Sequence, residues 1–272
     1  MTIVKVLKCV KARTEENVAL TLHDLNSIYH YLQNNGMRIY DNDSKLKMIK
    51  RLLKDVMDQN NEIIRNEINR IMTTEMYQWK IDQLSPLENE FEIYATLTAD
   101  RIQNIPFRGK PQLISESAFG SFRIQIYADK FLIFLFGPYV YISLFQKVIR
   151  KIFKENGLDI SVVTWDSDAL IQIKQDDSSM NLEERIDNIE ARVTVDMSAS
   201  DGLENTQLSD ELEAQGQIRS VKYVSREYPN NTVKIDGAKG IVNTDLDETQ
   251  TIQYIKEKLL RYSNYWNLRH TI

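Results

Sequence analysis

Two aspartates separated by one serine are the residues whose types are best suited to holding a metal ion. Asp166 and Asp168 directly follow an apolar run that ends at Trp165. Carboxylate oxygens are the ligands that Mg²⁺ and Mn²⁺ prefer, and paired carboxylates serve in many enzymes that handle phosphate esters. One interpretation is therefore a metal-dependent enzyme acting on phosphodiesters or nucleotide sugars, with Asp166 and Asp168 as ligands and Lys174 polarising a water molecule.

The specificity of this aspartate pair is low. The Asp-x-Asp spacing occurs three times in the chain, whereas about 1.5 occurrences are expected by chance for this composition. Asp-Ser-Asp is also ordinary turn chemistry. We therefore expect a hairpin turn at 166–168, between short strands near 160–165 and 169–174, and we favour a non-catalytic function.

Other catalytic chemistries have little support in the sequence. Cys9 falls inside a predicted strand, where a thiol is usually a small buried apolar group. His23 and His30 share a face of one predicted helix, where Asp24 is the one obvious orienting carboxylate, and we interpret them as surface or interfacial residues. Neither a P-loop nor a dinucleotide-binding glycine motif is present. We expect no cofactor.

Four cations on one helix face form the most suggestive binding feature. Pro138 suits the first turn of a helix and Asn156-Gly157 suits its end, so a helix is predicted over 139–156. Lys147, Arg150, Lys151 and Lys154 share an arc of about 100° on that helix. Such a face can follow the phosphates of a nucleic acid, and Arg123 and Lys130 are candidates to extend it. The alternative is a core helix whose outer face is simply solvated.

The net charge of the chain also changes sign along its length. Residues 101–155 contain nine Lys or Arg and three acids, a net charge of +6, whereas residues 159–215 contain three cations and fifteen acids, a net charge of −12. We interpret the 101–155 region as a surface for an anionic partner, most readily nucleic acid, with the acidic region restricting docking to one side. A further possibility is an interaction subunit of a protein complex, in which the two blocks meet across subunits.

The elements that position these residues indicate an α+β fold. Residues 2–10 and 91–98 have strand patterns, and residues 22–35 and 44–73 between them have helical patterns, which predicts a mostly helical N-terminal third. Residues 122–128 alternate between apolar and other residues, and the apolar run 131–136 follows after a short turn, which favours an antiparallel hairpin. We therefore expect a mainly antiparallel sheet with helices.

A polar segment, 175–184, is the best candidate for an interior linker. It would divide the chain into a domain at 1–175 and a smaller α+β domain at 185–272. Within the second, patterns predict strands at 189–197, 218–226 and 231–236 and a final helix at 247–262.

A homodimer is one possible assembly. The predicted 44–73 helix has six residues at alternating steps of three and four, the spacing of a coiled-coil seam over about two and a half heptads. These seam positions are Leu46, Ile49, Leu53, Val56, Asn60 and Ile63. The alternative is a long helix packed within its own domain.

The environment predicted for the chain is the cytoplasm, without membrane association. The longest apolar run, 131–145, is 15 residues long and is interrupted by Gly137-Pro138, so it falls short of the roughly 20 residues that cross a bilayer. The N-terminus lacks a signal-peptide pattern, and a single cysteine suits a reducing compartment.

Overall fold

Strand β1 (Thr2–Lys11) lies in the middle of a large antiparallel sheet and is buried along most of its length. The computed structural model of the chain describes residues 1–11, 19–53, 62–86, 91–107, 110–188, 193–200, 202–203, 211 and 216–266. Within this part of the chain, twelve strands form one sheet.

The strands that follow β1 are β2 (Met37–Ile39), β3 (Tyr77–Pro86), β4 (Glu92–Phe107), β5 (Lys110–Tyr127), β6 (Lys130–Phe136), β7 (Leu158–Val162), β8 (Ser178–Asn188), β9 (Val193–Ser198), β10 (Gln217–Ser225), β11 (Thr232–Asp236) and β12 (Ile241–Thr244). The helices are α1 (Leu22–Asn34), α2 (Asn42–Leu52), α3 (Glu62–Thr73), α4 (Tyr139–Glu155), α5 (Ser167–Asp177) and α6 (Glu248–Tyr254). A π-helical turn (Ile255–Leu259) and a 3₁₀ turn (Leu260–Tyr262) continue α6.

The two halves of the sheet meet at β1. The strand order is β2-β3-β4-β5-β6-β1-β12-β11-β10-β8-β9. The first residues of β1 pair with β12 and its last residues pair with β7, while β6 lies along its other side. The change of partner occurs at Val6, whose amide donates to Gly240 (2.9 Å) and whose carbonyl accepts from Val163 (3.0 Å).

Helices cover the two halves of the sheet on opposite faces. On one face, α1 and α4 pack over β4, β5, β6 and the end of β1. On the other face, α5, α6 and the π-helical turn pack over β10, β11, β12 and the beginning of β1. Strand β6 belongs to both cores, and every one of its residues is buried. This explains why its sequence is a continuous apolar run rather than an alternating one.

A third, smaller core lies at the far end of the long β4–β5 hairpin. Ile49 and Leu53 pack there with Ile102 and Leu113 of the hairpin and with residues of α3. These two seam positions of the predicted coiled coil are therefore buried inside the chain. Leu46 is exposed, and Val56 and Asn60 lie outside the described residues, as does the side chain of Ile63. The homodimer stays a prediction.

The predicted fold class is wrong. The chain begins with the central strand of the sheet instead of a helical third, and the same third supplies β2 and β3. Local periodicity predicted α1, but it predicted one helix over 44–73 where α2 ends at Leu52 and α3 begins at Glu62. It gave no indication that a twelve-stranded sheet dominates the architecture. The reason is that sheet pairing joins segments that are distant in sequence, which periodicity within one window does not report.

Several local predictions are confirmed. The hairpin of β5 and β6 forms in antiparallel register, and α4 spans Tyr139–Glu155. Strands β10 and β11 match the patterns at 218–226 and 231–236. The predicted final helix is present at its beginning, where Asp247 forms a capping box with Gln250, but it continues as π-helical and 3₁₀ turns.

Other local predictions are corrected. The strand expected at 169–174 is helix α5, because Leu170 and Ile173 are spaced for one buried helical face and such short apolar runs suit either structure. Residues 175–184 are the end of α5 and the first half of β8, which pairs with β10. Part of the strand predicted at 189–197 lies outside the described residues, and Val193–Ser198 forms β9. None of the helices in the described part of the chain is both long and apolar enough to span a bilayer.

Candidate anion-binding surface

Helix α4 presents a buried apolar face and an exposed basic face. Its apolar side chains pack on the core beneath α1 and α4, which fixes the helix against the sheet. Lys147, Arg150 and Lys154 lie on the opposite side and are exposed, and Lys151 is half-buried. We call these four residues the α4 ridge. Their arrangement agrees with the two-faced helix predicted from the sequence.

Three cations of the α4 ridge have no acidic partner. Among the described residues, the side chains of Lys147, Arg150 and Lys154 form no ion pair and no hydrogen bond. Lys151 is different, because its Nζ donates to Gln78 Oε1 (2.8 Å) and lies 5.1 Å from the centre of the Trp79 ring. Burial, and next the nearby Arg38, lowers the pKa of Lys151. The ridge therefore offers three free positive charges and one that is already engaged.

The acid at the end of α4 is neutralised within the protein. Glu155 Oε1 lies 2.7 Å from Nη1 of Arg38, and the Tyr31 hydroxyl donates to the same carboxylate. The hydrogen bond from Tyr31, with that from Arg38, lowers the pKa of Glu155. Burial and the contact with Glu155 raise the pKa of Tyr31 to about 12. Glu155 thus anchors α4 to α1 and β2 instead of neutralising the ridge.

Arg123 and Lys130 lie away from the α4 ridge, on the other face of the sheet. Arg123 alternates with buried residues beneath α4, so it faces the α6 side, where it is 3.9 Å from Glu248 Oε2 and 5.5 Å from the Tyr94 ring. Lys130 is nearly buried, 3.0 Å from Asp129 Oδ1 and 5.4 Å from the Tyr265 ring. The structure does not bring these two residues together with the ridge.

Elsewhere in the basic region, Arg101 is also engaged. It lies 3.5 Å from Glu116 and 4.3 Å from the Tyr141 ring. Arg108 and the side chain of Lys110 lie outside the described residues. Much of the positive charge counted between 101 and 155 is therefore internally compensated, and α4 carries the free part that the structure describes.

Beside the beginning of α4 lies a cavity of about 890 Å³ that the sequence analysis missed. We call it the charged cleft. Its floor is the uncovered face of β8 to β12, whose opposite face packs on α5 and α6. Its lining residues include Tyr139, Glu183, Arg185, Asp187, Arg219, Lys234, Asp236, Lys239, Ile241 and Asn243. The signal available in the sequence was the alternation of charged with apolar residues along β10 and β11, which puts the charges on one face.

Most charges on the floor of the charged cleft pair across strands. Glu183 accepts from Lys222 (2.8 Å) and Lys234 (2.7 Å), and these hydrogen bonds lower its pKa. Arg219 Nε donates to Asp187 (2.6 Å). Such pairs on a half-exposed sheet face set its polarity more than its stability.

An almost buried lysine lies beside the end of the charged cleft nearest α4. Lys5 pairs with the lining residue Ile241 and is 7% exposed, and its side chain forms no ion pair or hydrogen bond with any described residue. Burial is the main cause that lowers its pKa; Asp236 opposes this effect, and Lys239 and Arg150 add to it. Asn243 Oδ1 is also buried without a hydrogen-bond partner in the described part of the chain.

The two aspartates considered as metal ligands lie at the beginning of α5. Asp166 is the N-cap, and its Oδ1 accepts from the Ala169 amide (2.9 Å). Lys174 is two turns further along α5, about 12 Å along the axis, and pairs with the buried Glu184 at 2.8 Å. The described residues contain no group of three or more His, Cys, Asp or Glu side chains placed to hold a metal ion. The predicted hairpin turn is wrong, and helix capping accounts for Asp166.

Comparison with protein-family models, with curated proteins and with solved structures gives no match.

Proposed function

We propose that this protein is a non-catalytic binding protein that engages nucleic acid through the α4 ridge. The observation that carries the proposal is the set of three exposed, unpaired cations on one face of a helix that is packed firmly on the sheet. Free cations release counterions from a polyanion without first breaking an internal ion pair, so their contribution to binding is larger than that of compensated charges.

The dimensions of the ridge suit successive phosphates. Lys147 and Lys154 are seven residues apart, which is about 10 Å along a helix axis. Successive phosphates of one strand are separated by less than this length, so the ridge can contact more than one phosphate. Contacts of this kind position a nucleic acid without reading its bases, and we expect binding with little sequence preference.

The acidic character of the rest of the chain supports a localised contact. The whole protein carries a formal charge of −5, so a polyanion is repelled by most orientations and attracted only where positive potential is concentrated. Glu155, the acid closest in sequence to the ridge, is held by Arg38. This arrangement favours docking on the α4 side.

The test is charge reversal of the ridge. We expect the variant with Lys147→Glu, Arg150→Glu and Lys154→Glu to bind single-stranded RNA or DNA about 100-fold more weakly at low salt. Fluorescence anisotropy against salt concentration measures this change. The slope of log affinity against log salt concentration should be steeper for the wild type than for this variant by about 2. Each of the three phosphate contacts that the variant loses contributes about 0.7 to the slope for a single strand.

A matched control is available on α2, where Lys47, Lys50 and Arg51 are also exposed. Reversing these three charges changes the net charge of the protein by the same amount but leaves the ridge intact. We expect this control to lower affinity by less than about threefold. Equal losses in the two variants, or no nucleic-acid binding by the wild type at low salt, would overturn the proposal.

A further inference from the structure

Three cations lie around the α4 end of the charged cleft, and of these Lys239 lines it. Lys5 of β1 lies opposite Ile241 of β12, which in turn lies opposite Asp236 of β11, so these three residues form one row across the sheet. The row is on the same face of the sheet as α4, and both Arg150 and Lys239 act electrostatically on Lys5. Positive charge from α4 and from the β11–β12 turn therefore acts on the buried ammonium group of β1.

Asp236, the acid in this row, already pairs with Lys239. Asp236 Oδ2 lies 2.8 Å from Nζ of Lys239, and its Oδ1 accepts from the Lys239 backbone amide (3.2 Å). Lys239 Nζ also donates to the Tyr139 hydroxyl (3.1 Å). Two positive charges remain without compensation after Asp236 is counted.

The burial of Lys5 indicates that this excess of positive charge needs a bound anion. An ammonium group removed from water is costly unless an anion or several acceptors replace the water. Lys8, on the same strand and equally buried, satisfies this requirement by donating to the Asn264 carbonyl on the opposite face. Lys5 has no such acceptor among the described residues. Its ammonium group therefore lacks both an acceptor and an ion pair in the described part of the chain.

We propose that Lys5, Arg150 and Lys239 bind a phosphomonoester, the terminal phosphate of a nucleic acid strand whose adjoining backbone lies on the α4 ridge. A phosphomonoester has a charge of about −1.5 to −2 at neutral pH and three acceptor oxygens, which matches the two uncompensated charges. Lys5 is recessed, so a terminal group that protrudes can reach it, whereas an internal phosphodiester is held away by the sugars on both sides. The strand assignment rests on the proposed function.

Oligonucleotides that differ only at their ends test this proposal. We compare anisotropy titrations of one single-stranded sequence with a 5′-phosphate, a 3′-phosphate or hydroxyl ends. For the wild type, one of the two phosphates should raise affinity about tenfold, the effect of one strong charge-assisted hydrogen bond. In Lys5→Met this gain should fall below about twofold, while the affinity for the hydroxyl-ended strand stays within about twofold.

Two further variants distinguish loss of the phosphate site from a general effect of replacing a buried lysine. Lys8→Met makes the same substitution in an equally buried position on the other face, and it should retain the gain from the end phosphate. Lys239→Gln changes an exposed side chain instead of a buried one, and it should lose most of the gain. Equal affinity of the wild type for phosphate and hydroxyl ends, or a gain that persists in both Lys5→Met and Lys239→Gln, would refute the site.

Inorganic phosphate separates failure of this site from failure of the proposed function. Phosphate at constant ionic strength should raise the melting temperature of the wild type and of the α2 control, but not that of Lys5→Met, by preferential binding to the folded state. If no oligonucleotide binds but this shift is present, the nucleic-acid proposal fails and a free phosphomonoester is the ligand. If hydroxyl-ended strands bind through the ridge but phosphate gives neither a shift nor an end preference, only the phosphate site fails.

Discussion

The hydroxyl of Tyr254 donates a hydrogen bond to the carboxylate of Asp177 in the core between α5 and α6. Both side chains are buried, and the hydroxyl of the buried Tyr223 lies 2.7 Å from that of Tyr254. Burial is the main cause that raises the pKa of both tyrosines, so both remain protonated and able to donate. The three residues form a polar connection through an otherwise apolar core.

Removing the Tyr254 hydroxyl should therefore destabilise the protein. Tyr254→Phe leaves the Asp177 carboxylate buried without its donor, and we expect the free energy of unfolding to fall by about 1–3 kcal/mol. Tyr262→Phe is the control, because Tyr262 donates to Asp176, whose side chain is 54% exposed. That change should cost less than about 0.5 kcal/mol. Urea unfolding measures both, and equal losses would contradict the role given to Tyr254.

Substitutions of Asp166 distinguish a helix cap from a metal ligand. We expect Asp166→Ala to cost about 1 kcal/mol and Asp166→Asn only a few tenths, since asparagine caps a helix as well as aspartate does. Thermal unfolding with and without Mn²⁺ measures both properties. A metal ligand would give the opposite pattern: Mn²⁺ would raise the melting temperature of the wild type, and Asp166→Asn would abolish that rise.

Gly240 controls the place where β1 changes partner. Its φ is 62°, and a Cβ at this position would lie 2.3 Å from the Val163 carbonyl oxygen. Gly240→Ala should therefore cost about 3 kcal/mol, which combines the left-handed backbone penalty with a steric clash. Gly157 is a matched control, because its φ is 71° but no atom lies within 4 Å of the added Cβ. Gly157→Ala should cost about 1 kcal/mol in chemical unfolding, and similar values for the two variants would refute the steric role.

Glu183 should make stability depend on pH. Its hydrogen bonds from Lys222 and Lys234 lower its pKa in the folded state. A lowered folded pKa contributes stability that is present above the unfolded value, about 4.3, and that is lost as pH falls through the folded pKa. The wild type should exceed Glu183→Gln by at most about 1 kcal/mol above pH 5. This difference should disappear in acid, and urea unfolding curves that stay parallel between pH 3 and pH 6 would contradict the prediction.

Local patterns predicted those elements whose own residues decide their structure. Helix α4 follows from Pro138, the Asn156-Gly157 end and one apolar face, and the β5–β6 hairpin follows from alternation beside a short turn. The exposed cations of the α4 ridge follow from the same helical periodicity. By contrast, the run Ala169–Lys174 is too short to distinguish strand from helix, and the capping interaction of Asp166 with Ala169 decides for the helix.

The sequence by itself determined which faces of α4, β10 and β11 are apolar and which are charged, because side-chain spacing is a property of the local backbone. Only the tertiary structure decided what lies against those faces. Thr2 pairs with Thr244, and in the same register Lys5 pairs with Ile241, which pairs with Asp236 of the next strand. Within its own segment Lys5 is an ordinary lysine in an apolar strand. Its burial arises from this long-range strand pairing, which no local pattern encodes.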